Sequence, residues 1–254
     1  MGIQKWAVGA LSALALASAS HAAGFVNGGF EDGNTDGWTV GTATRNGNLS
    51  ALVPGAYLNN ATGRSAIVSA GTVDPVIGSA LGSTVYAGNS SYRVEDTRDG
   101  GYLSVISQTV NGYSDASIFF AWKAVLESTH SAEQAAGMKI ELVDLTAGDT
   151  PISRIYSAEL SNIDGRFSQQ GVYYYTPNWQ IEELTIDASR QGHDFRLTVL
   201  ATDCDPTAHL GYVYLDGFGA QNPSDPTDVP EPATALLAGT ALLGLWGARR
   251  RKQA

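Results

Sequence analysis

The sequence predicts an all-β fold, an antiparallel sandwich, and three observations carry that prediction. Alternating, β-branched or aromatic stretches recur at 102–110, 117–125, 138–145, 152–156, 179–186, 194–201 and 211–218. Turn-forming clusters punctuate them, among them Asp99-Gly100-Gly101, Asn111-Gly112, Ala147-Gly148-Asp149, Asp164-Gly165 and Gln191-Gly192. Strands about 6 to 10 residues long with that punctuation suggest antiparallel pairing and not a parallel sheet with helical crossovers.

Taken in order, residues 1–22 have one cation, Lys5, an apolar core from Trp6 to Ala19, and small residues at Ser20 and Ala22. That is the pattern of a secretory signal peptide, with cleavage expected after Ala22 or Ala23, and it implies handling by the secretion translocon and signal peptidase. Residues 23–220 form the body, long enough for one large domain with a good core. From Arg45 to Ser91 the chain is rich in Gly, Ala, Ser and Asn and reads as irregular, with short strands near 66–69 and 84–86. The one expected helical interruption is 128–137, which equally suits a loop. Trp122, inside an apolar stretch, reads as core. A linker at 221–229 follows the last strand.

Charge narrows the choice of partners. Lys5 and the four cations near the C-terminus account for five of the 15 basic residues, and Glu231 for one of the 25 acidic ones. The remainder holds 10 basic and 24 acidic residues, a net charge of −14, with Lys123 and Lys139 its only lysines. Such a field repels nucleic acid and anionic lipid and favours cations such as calcium. Cys204 stands alone, so no intramolecular disulfide forms, and it reads as a buried thiol. Asp203, Cys204, Asp205 and His209 crowd one loop, a set that suits a transition metal, although Pro206 and the spacing of the acids fit a solvated turn better.

The C-terminal residues are a second address. Val229-Pro230-Glu231-Pro232 precedes an uncharged run from Ala233 to Ala248 and the cations Arg249, Arg250, Arg251 and Lys252. As a helix the run spans roughly 24 Å, just short of the roughly 30 Å hydrocarbon core, so it crosses if Trp246 sits in the interface and the arginines snorkel. The cations hold that end in the cytoplasm and leave the body outside. Motif, helix and basic end, in this order at 230–254, resemble the PEP-CTERM sorting signal of Gram-negative bacteria. The resemblance implies recognition by an exosortase and removal of the tail: a precursor tethered to the inner membrane through its C-terminal helix, then a protein of the cell surface or extracellular matrix.

A second resemblance covers roughly 25–219. Asn27-Gly28-Gly29-Phe30-Glu31 with Gly37-Trp38, and Tyr214-Leu215-Asp216-Gly217-Phe218 near the other end, look like the opening and closing strands of galactose-binding-like jelly rolls, the fold of many carbohydrate-binding modules. Ser107-Gln108-Thr109-Val110 is similar to the strand after the first long loop of such modules. The resemblance implies a jelly-roll sandwich with a structural calcium ion held by Glu31 and Asp216 and completed by backbone carbonyls. Gly217 stands where those modules usually carry a second acid.

Tyr173-Tyr174-Tyr175 with Trp179 suggest a platform for stacking on sugar rings, with Tyr174 and Trp179 as the expected contacts. Consecutive strand residues alternate faces, so at least one of the three tyrosines belongs to the core. Arg64, Arg93 and Arg98 suit either glycan hydroxyls or plain solvent. Catalytic signatures are missing: there is no nucleophile elbow, zinc-protease helix, phosphate loop or dinucleotide fingerprint. A glycosidase needs two carboxylates several ångströms apart across a cleft, and Glu182-Glu183 or Asp203 with Asp205 offer themselves only because acids are abundant. The expectation is a non-catalytic, exported protein that binds glycan or exopolysaccharide. A structural protein of a biofilm matrix and a secreted glycan hydrolase are the alternatives.

Overall fold

A computed structural model describes residues 24–60, 63–127, 130–161, 163–205 and 208–223. The signal peptide, the sorting signal and nearly all of the linker therefore lie outside the described residues. In chain order the strands are β1 (Thr39–Thr44), β2 (Ala66–Ser69), β3 (Ser90–Val94), β4 (Tyr102–Tyr113), β5 (Ser117–Glu127), β6 (Gly137–Asp144), β7 (Asp149–Ser157), β8 (Ser168–Gln170), β9 (Tyr173–Tyr175), β10 (Gln180–Thr185), β11 (His193–Thr202) and β12 (Gly211–Gly219). One sheet runs β1-β4-β11-β6-β7, the other β2-β3-β12-β5-β9-β8 with β10 also on β5, and every pairing is antiparallel. From β4 to β6 each strand lies in the sheet opposite its predecessor, and β11 and β12 do the same. That alternation is the jelly-roll layout the sequence led us to expect.

Period-two patterning explains the core. On β5, Ile118, Phe120, Trp122, Ala124 and Leu126 point between the sheets, where they meet Val213 and Leu215 of β12 and Leu197 and Val199 of β11. The residues between them face outward, yet Ala121, Lys123 and Val125 are buried as well. Val125 on β5 and Tyr212 and Tyr214 on β12 pack under Ile77 and Leu81 of the segment 70–89. On the other sheet, Leu103, Val105 and Leu200 pack under Leu49 and Leu52 of the segment 45–60. The stretch read as irregular is thus irregular and also structural, because it roofs both sheets.

The two lysines of the body hold these roofs down. Lys123 Nζ donates to the carbonyls of Leu81 at 2.6 Å and Ser83 at 3.0 Å, and burial pushes it down to about 8. Lys139 Nζ donates to Leu52 at 2.6 Å and Ser50 at 3.0 Å. Asp74 completes the first roof, accepting from the buried Tyr212 and Tyr214 hydroxyls at 2.8–2.9 Å.

Some expected elements move. Residues 84–86 are not a strand; the strand of that region is β3, which pairs Val94 with Val213 and Tyr92 with Leu215. β1 went unpredicted because Thr-Val-Gly-Thr-Ala-Thr has little apolar alternation. Its Gly41 is required by close approach, since a Cβ there would overlap the Tyr57 carbonyl. The opening segment 26–38 is a series of turns, and 130–136 holds a turn with no helix. A single helical turn, Ala158–Ser161, follows β7.

Candidate functional site

The opening segment and the closing strand meet through aromatic packing. Phe218 stacks on Phe120 with centroids 4.7 Å apart and meets Trp38 edge-on at 4.7 Å, while Phe30 stacks on Tyr92 at 5.3 Å. The Phe218 N–H donates to the Gly28 carbonyl at 3.0 Å, and a Cβ on Gly28 would collide with the Phe218 carbonyl. This contact brings Glu31 and Asp216 into one neighbourhood: the Cβ position of Gly29 lies 3.5 Å from Asp216 Oδ1 and 3.8 Å from Glu31 Cγ.

Both carboxylates grip the turn at 86–90. Asp216 Oδ2 accepts from the Tyr86 N–H at 2.9 Å and the Ala87 N–H at 3.1 Å. Glu31 accepts from the Asn89 N–H at 2.9 Å and the Ser90 N–H at 3.0 Å, and from Asn89 Nδ2 at 3.2 Å. Gly88, at φ +69°, is the only residue type that fits there, because a Cβ would overlap the Glu31 carboxylate. Asp216 is 1 % exposed, and its Oδ1 is buried with no hydrogen-bond partner. Burial, reinforced by the negative charge of Glu31, pushes Asp216 up to about 7. An orphaned carboxylate oxygen beside a second carboxylate, in an all-oxygen donor set, has the chemistry of a hard-cation site.

The same turn carries Tyr86, which sequence reading missed. Its ring meets Trp179 at 5.7 Å with the planes 68° apart, and both rings are half-buried. Trp179 is held by its Nε1, which donates to the Ser83 carbonyl at 3.1 Å, and by Lys123 Nζ 5.6 Å over its ring. The structure does not bring Tyr174 and Trp179 together. Tyr173, Tyr175 and Trp179 belong to the cluster on the outer face, and Tyr174, one residue out of phase, packs against the core between the sheets. Tyr175 is the buried member of the three. No sequence signal joins Tyr86 to Trp179, because only the roof over β12 and β5 makes them neighbours.

The sequence-adjacent carboxylate pairs separate. Glu182 turns inward, accepting from Trp122 Nε1 and the Tyr156 hydroxyl, each at 3.0 Å, and from Arg154, while Glu183 accepts from Ser117 Oγ at 2.8 Å. Asp203 accepts from the backbone of Tyr102 and Gly211, and Asp205 from Gly47. The fold instead assembles Glu95, Asp96 and Asp203 around Arg64. Arg64 is thereby an interior ion-pair partner, and Arg98 remains 76 % exposed. Glu95 and Asp203 are each closed to solvent. Burial raises both, Asp203 to about 8, with Glu95 as its second cause.

Residues 228–252 match the family described as the PEP-CTERM protein-sorting motif, so the sorting signal read from the sequence stands. No curated protein matches the chain. Among solved structures, the chain is similar to TmCBM61 in complex with β-1,4-galactotriose, at 14% identity and a TM-score of 0.40, over 77% of this chain and 95% of that one. It is similar to CBM28, a carbohydrate-binding module specific for non-crystalline cellulose, at 12% identity and 0.39, over 76% and 92%. It is also similar to the enzymatically active domain of bacteriophage CBA120 tailspike protein 4, at 10% identity and 0.37, over 78% and 21%.

Proposed function

We propose that this is an exported surface protein, processed at its C-terminus by an exosortase, whose sandwich binds glycan on the Tyr86–Trp179 surface and is braced by calcium at Glu31 and Asp216. The sorting motif at 228–252 supports the first part. The observation that carries the second is the half-buried Tyr86–Trp179 pair, two flat apolar faces of fixed orientation, with the exposed Asn178 next to Trp179 along the chain. Such faces bury the apolar side of a pyranose, and neighbouring amides satisfy its hydroxyls.

Calcium ties the two together. The orphaned Asp216 Oδ1 and the nearby Glu31 would hold the ion, which supplies charge neutralisation and no chemistry. The same carboxylates fasten the backbone of Tyr86, Ala87, Asn89 and Ser90, so bracing them fixes one wall of the platform.

Binding of the purified protein to a glycan array and to the host's exopolysaccharide, with calcium and with chelator, tests this reading. Trp179→Ala and Tyr86→Ala should each weaken binding about five- to tenfold, given ~1–1.5 kcal/mol per stacked ring, without changing Tm by more than a few degrees. Tyr174→Ala should instead reduce stability. A folded sample that binds nothing in either condition would leave a structural matrix protein as the better account.

The address has its own test. Replacing Pro230-Glu231-Pro232 with three alanines should leave a full-length, membrane-bound precursor on an immunoblot, where the wild type shows a shorter processed form. Normal processing of the alanine variant would remove the exosortase from the proposal.

A further inference from the structure

One cluster of ligating side chains takes no part in the carboxylate site or the aromatic platform. At one end of the sandwich the loop between β5 and β6 meets the loop between β11 and β12. There His130, Cys204 and His209 bring one ligand atom each to within 4.8 Å of one another. Cys204 is fully buried and both histidines are half-buried. Cys204 Sγ lies 3.1 Å from His209 Nδ1, and the two imidazole rings meet edge-on with centroids 4.8 Å apart.

A second observation points to a ligand. His130 Nε2 is buried and makes no hydrogen bond, whereas buried ring nitrogens are nearly always satisfied. A metal ion among the three side chains would satisfy it.

The scaffold that holds the three is hydrogen-bonded throughout. The Cys204 N–H donates to the His209 carbonyl at 3.0 Å, which sets these two residues across a tight loop. The Asp205 N–H donates to the Gln134 carbonyl at 2.8 Å, which joins that loop to the one carrying His130. Leu210 exchanges bonds with Glu127, its N–H reaching Glu127 Oε2 at 3.1 Å, and Arg45 donates to the carbonyls of Glu133, Ala135 and Asp203.

We infer that His130, Cys204 and His209 bind a borderline-soft divalent transition metal, zinc by the chemistry of the donors. A thiolate and two imidazoles are the ligands such an ion prefers, whereas calcium takes oxygen. In a tetrahedral site with Zn–S near 2.3 Å and Zn–N near 2.1 Å, two ligand atoms on one zinc ion stand roughly 3.4–3.6 Å apart. The widest separation, 4.8 Å, must therefore close by about 1.2 Å on binding, a movement within reach of side-chain rotation by the half-buried histidines. The acids that flank Cys204 are not part of the set, since Asp203 and Asp205 are turned to backbone amides. The loop that sequence reading weighed against a plain turn contributes Cys204 and His209, and the fold replaces its acids with His130. Three protein ligands leave a fourth position for water, and the ion would clip two loops together.

The test titrates the metal-stripped, reduced full chain with Co2+, in excess calcium so that the oxygen site is filled. One equivalent should bind, giving the thiolate-to-cobalt charge-transfer band and the intense visible bands of four-coordinate cobalt, and Zn2+ should displace it. Cys204→Ser should abolish the charge-transfer band. His130→Ala and His209→Ala should each weaken binding roughly 100-fold, since even outer partners of a ligand are worth 10- to 100-fold. Zinc should raise the Tm of the wild type and leave that of His130→Ala unchanged. Should the buried Cys204 variant not fold, the two histidine variants decide the matter. Cobalt binding without the thiolate band, undiminished affinity in His130→Ala, or no binding by a folded protein with its thiol reduced would each overturn the inference.

Discussion

Asp216→Asn should abolish the calcium-dependent rise in Tm and remove Asp216's own share of the loss of stability that the chelated protein suffers between pH 4 and pH 7. Asp216 titrates near 3.9 in an unfolded chain and near 7 in the fold, because burial and then Glu31 disfavour its charged form. A carboxyl group raised in this way binds its proton more tightly when folded. Its contribution to stability is therefore complete below the unfolded value and is lost as pH rises through the folded one. Three pH units correspond to on the order of 4 kcal/mol, a large share of the 5–15 kcal/mol typical of a domain. Calcium bound at Asp216 would do at high pH what the proton does at low pH. Its stabilising effect should accordingly be small at pH 5 and large at pH 8, and it should vanish in the asparagine variant. Asp203, raised to about 8 in the Arg64 cluster, keeps a residual slope of the same sign, so the quantity to read is the difference between wild type and variant. Thermal melts at both pH values, with calcium and with chelator, decide it. An equal calcium effect at pH 5 and pH 8, or one retained by the variant, would count against an ion at Asp216. Gly88→Ala should mimic the variant in part, because its methyl group displaces the Glu31 carboxylate.

Trp122→Ala should cost about 3–5 kcal/mol, the range for emptying a fully buried aromatic site. Trp122 is 0 % exposed at the middle of β5, opposite Leu215 on one side and Gln180 on the other. Its ring packs 4.9 Å from that of Tyr156 and lies under Arg166. The indole N–H also donates to Glu182, a buried carboxylate shared with Tyr156 and Arg154, so truncation removes one donor from a group that water cannot reach. Trp122→Phe fills most of the cavity and omits only the donor, and its expected cost is about 1–3 kcal/mol. Denaturant midpoints of the two variants separate packing from hydrogen bonding. A loss below about 1 kcal/mol for the alanine variant would contradict the central position of this side chain.

What the sequence by itself determined is whatever is written locally along the chain. The sorting signal is a linear pattern of motif, apolar run and cations, legible without any fold. The long strands β4, β5, β6, β11 and β12 announce themselves because period-two burial imprints on neighbouring residues, and for the same reason Trp122 was recognisable as interior, and so was one of the three tyrosines 173–175, though not which. The short motifs around Phe30 and Phe218 marked two segments that pack together, because their glycines and aromatics make that contact.

The tertiary structure alone decided which remote segments became neighbours. It laid 45–60 and 70–89 over the outer faces of the sheets, which is why two lysines lie buried and why Tyr86 stands beside Trp179. It put Tyr174 on the opposite side of its strand from Trp179, gathered Glu95 and Asp203 around Arg64, and brought His130 to Cys204 and His209. These contacts join residues tens of positions apart, through loops whose composition has no period. Their geometry follows from the alternation of strands between the two sheets, and no local pattern of side chains encodes it.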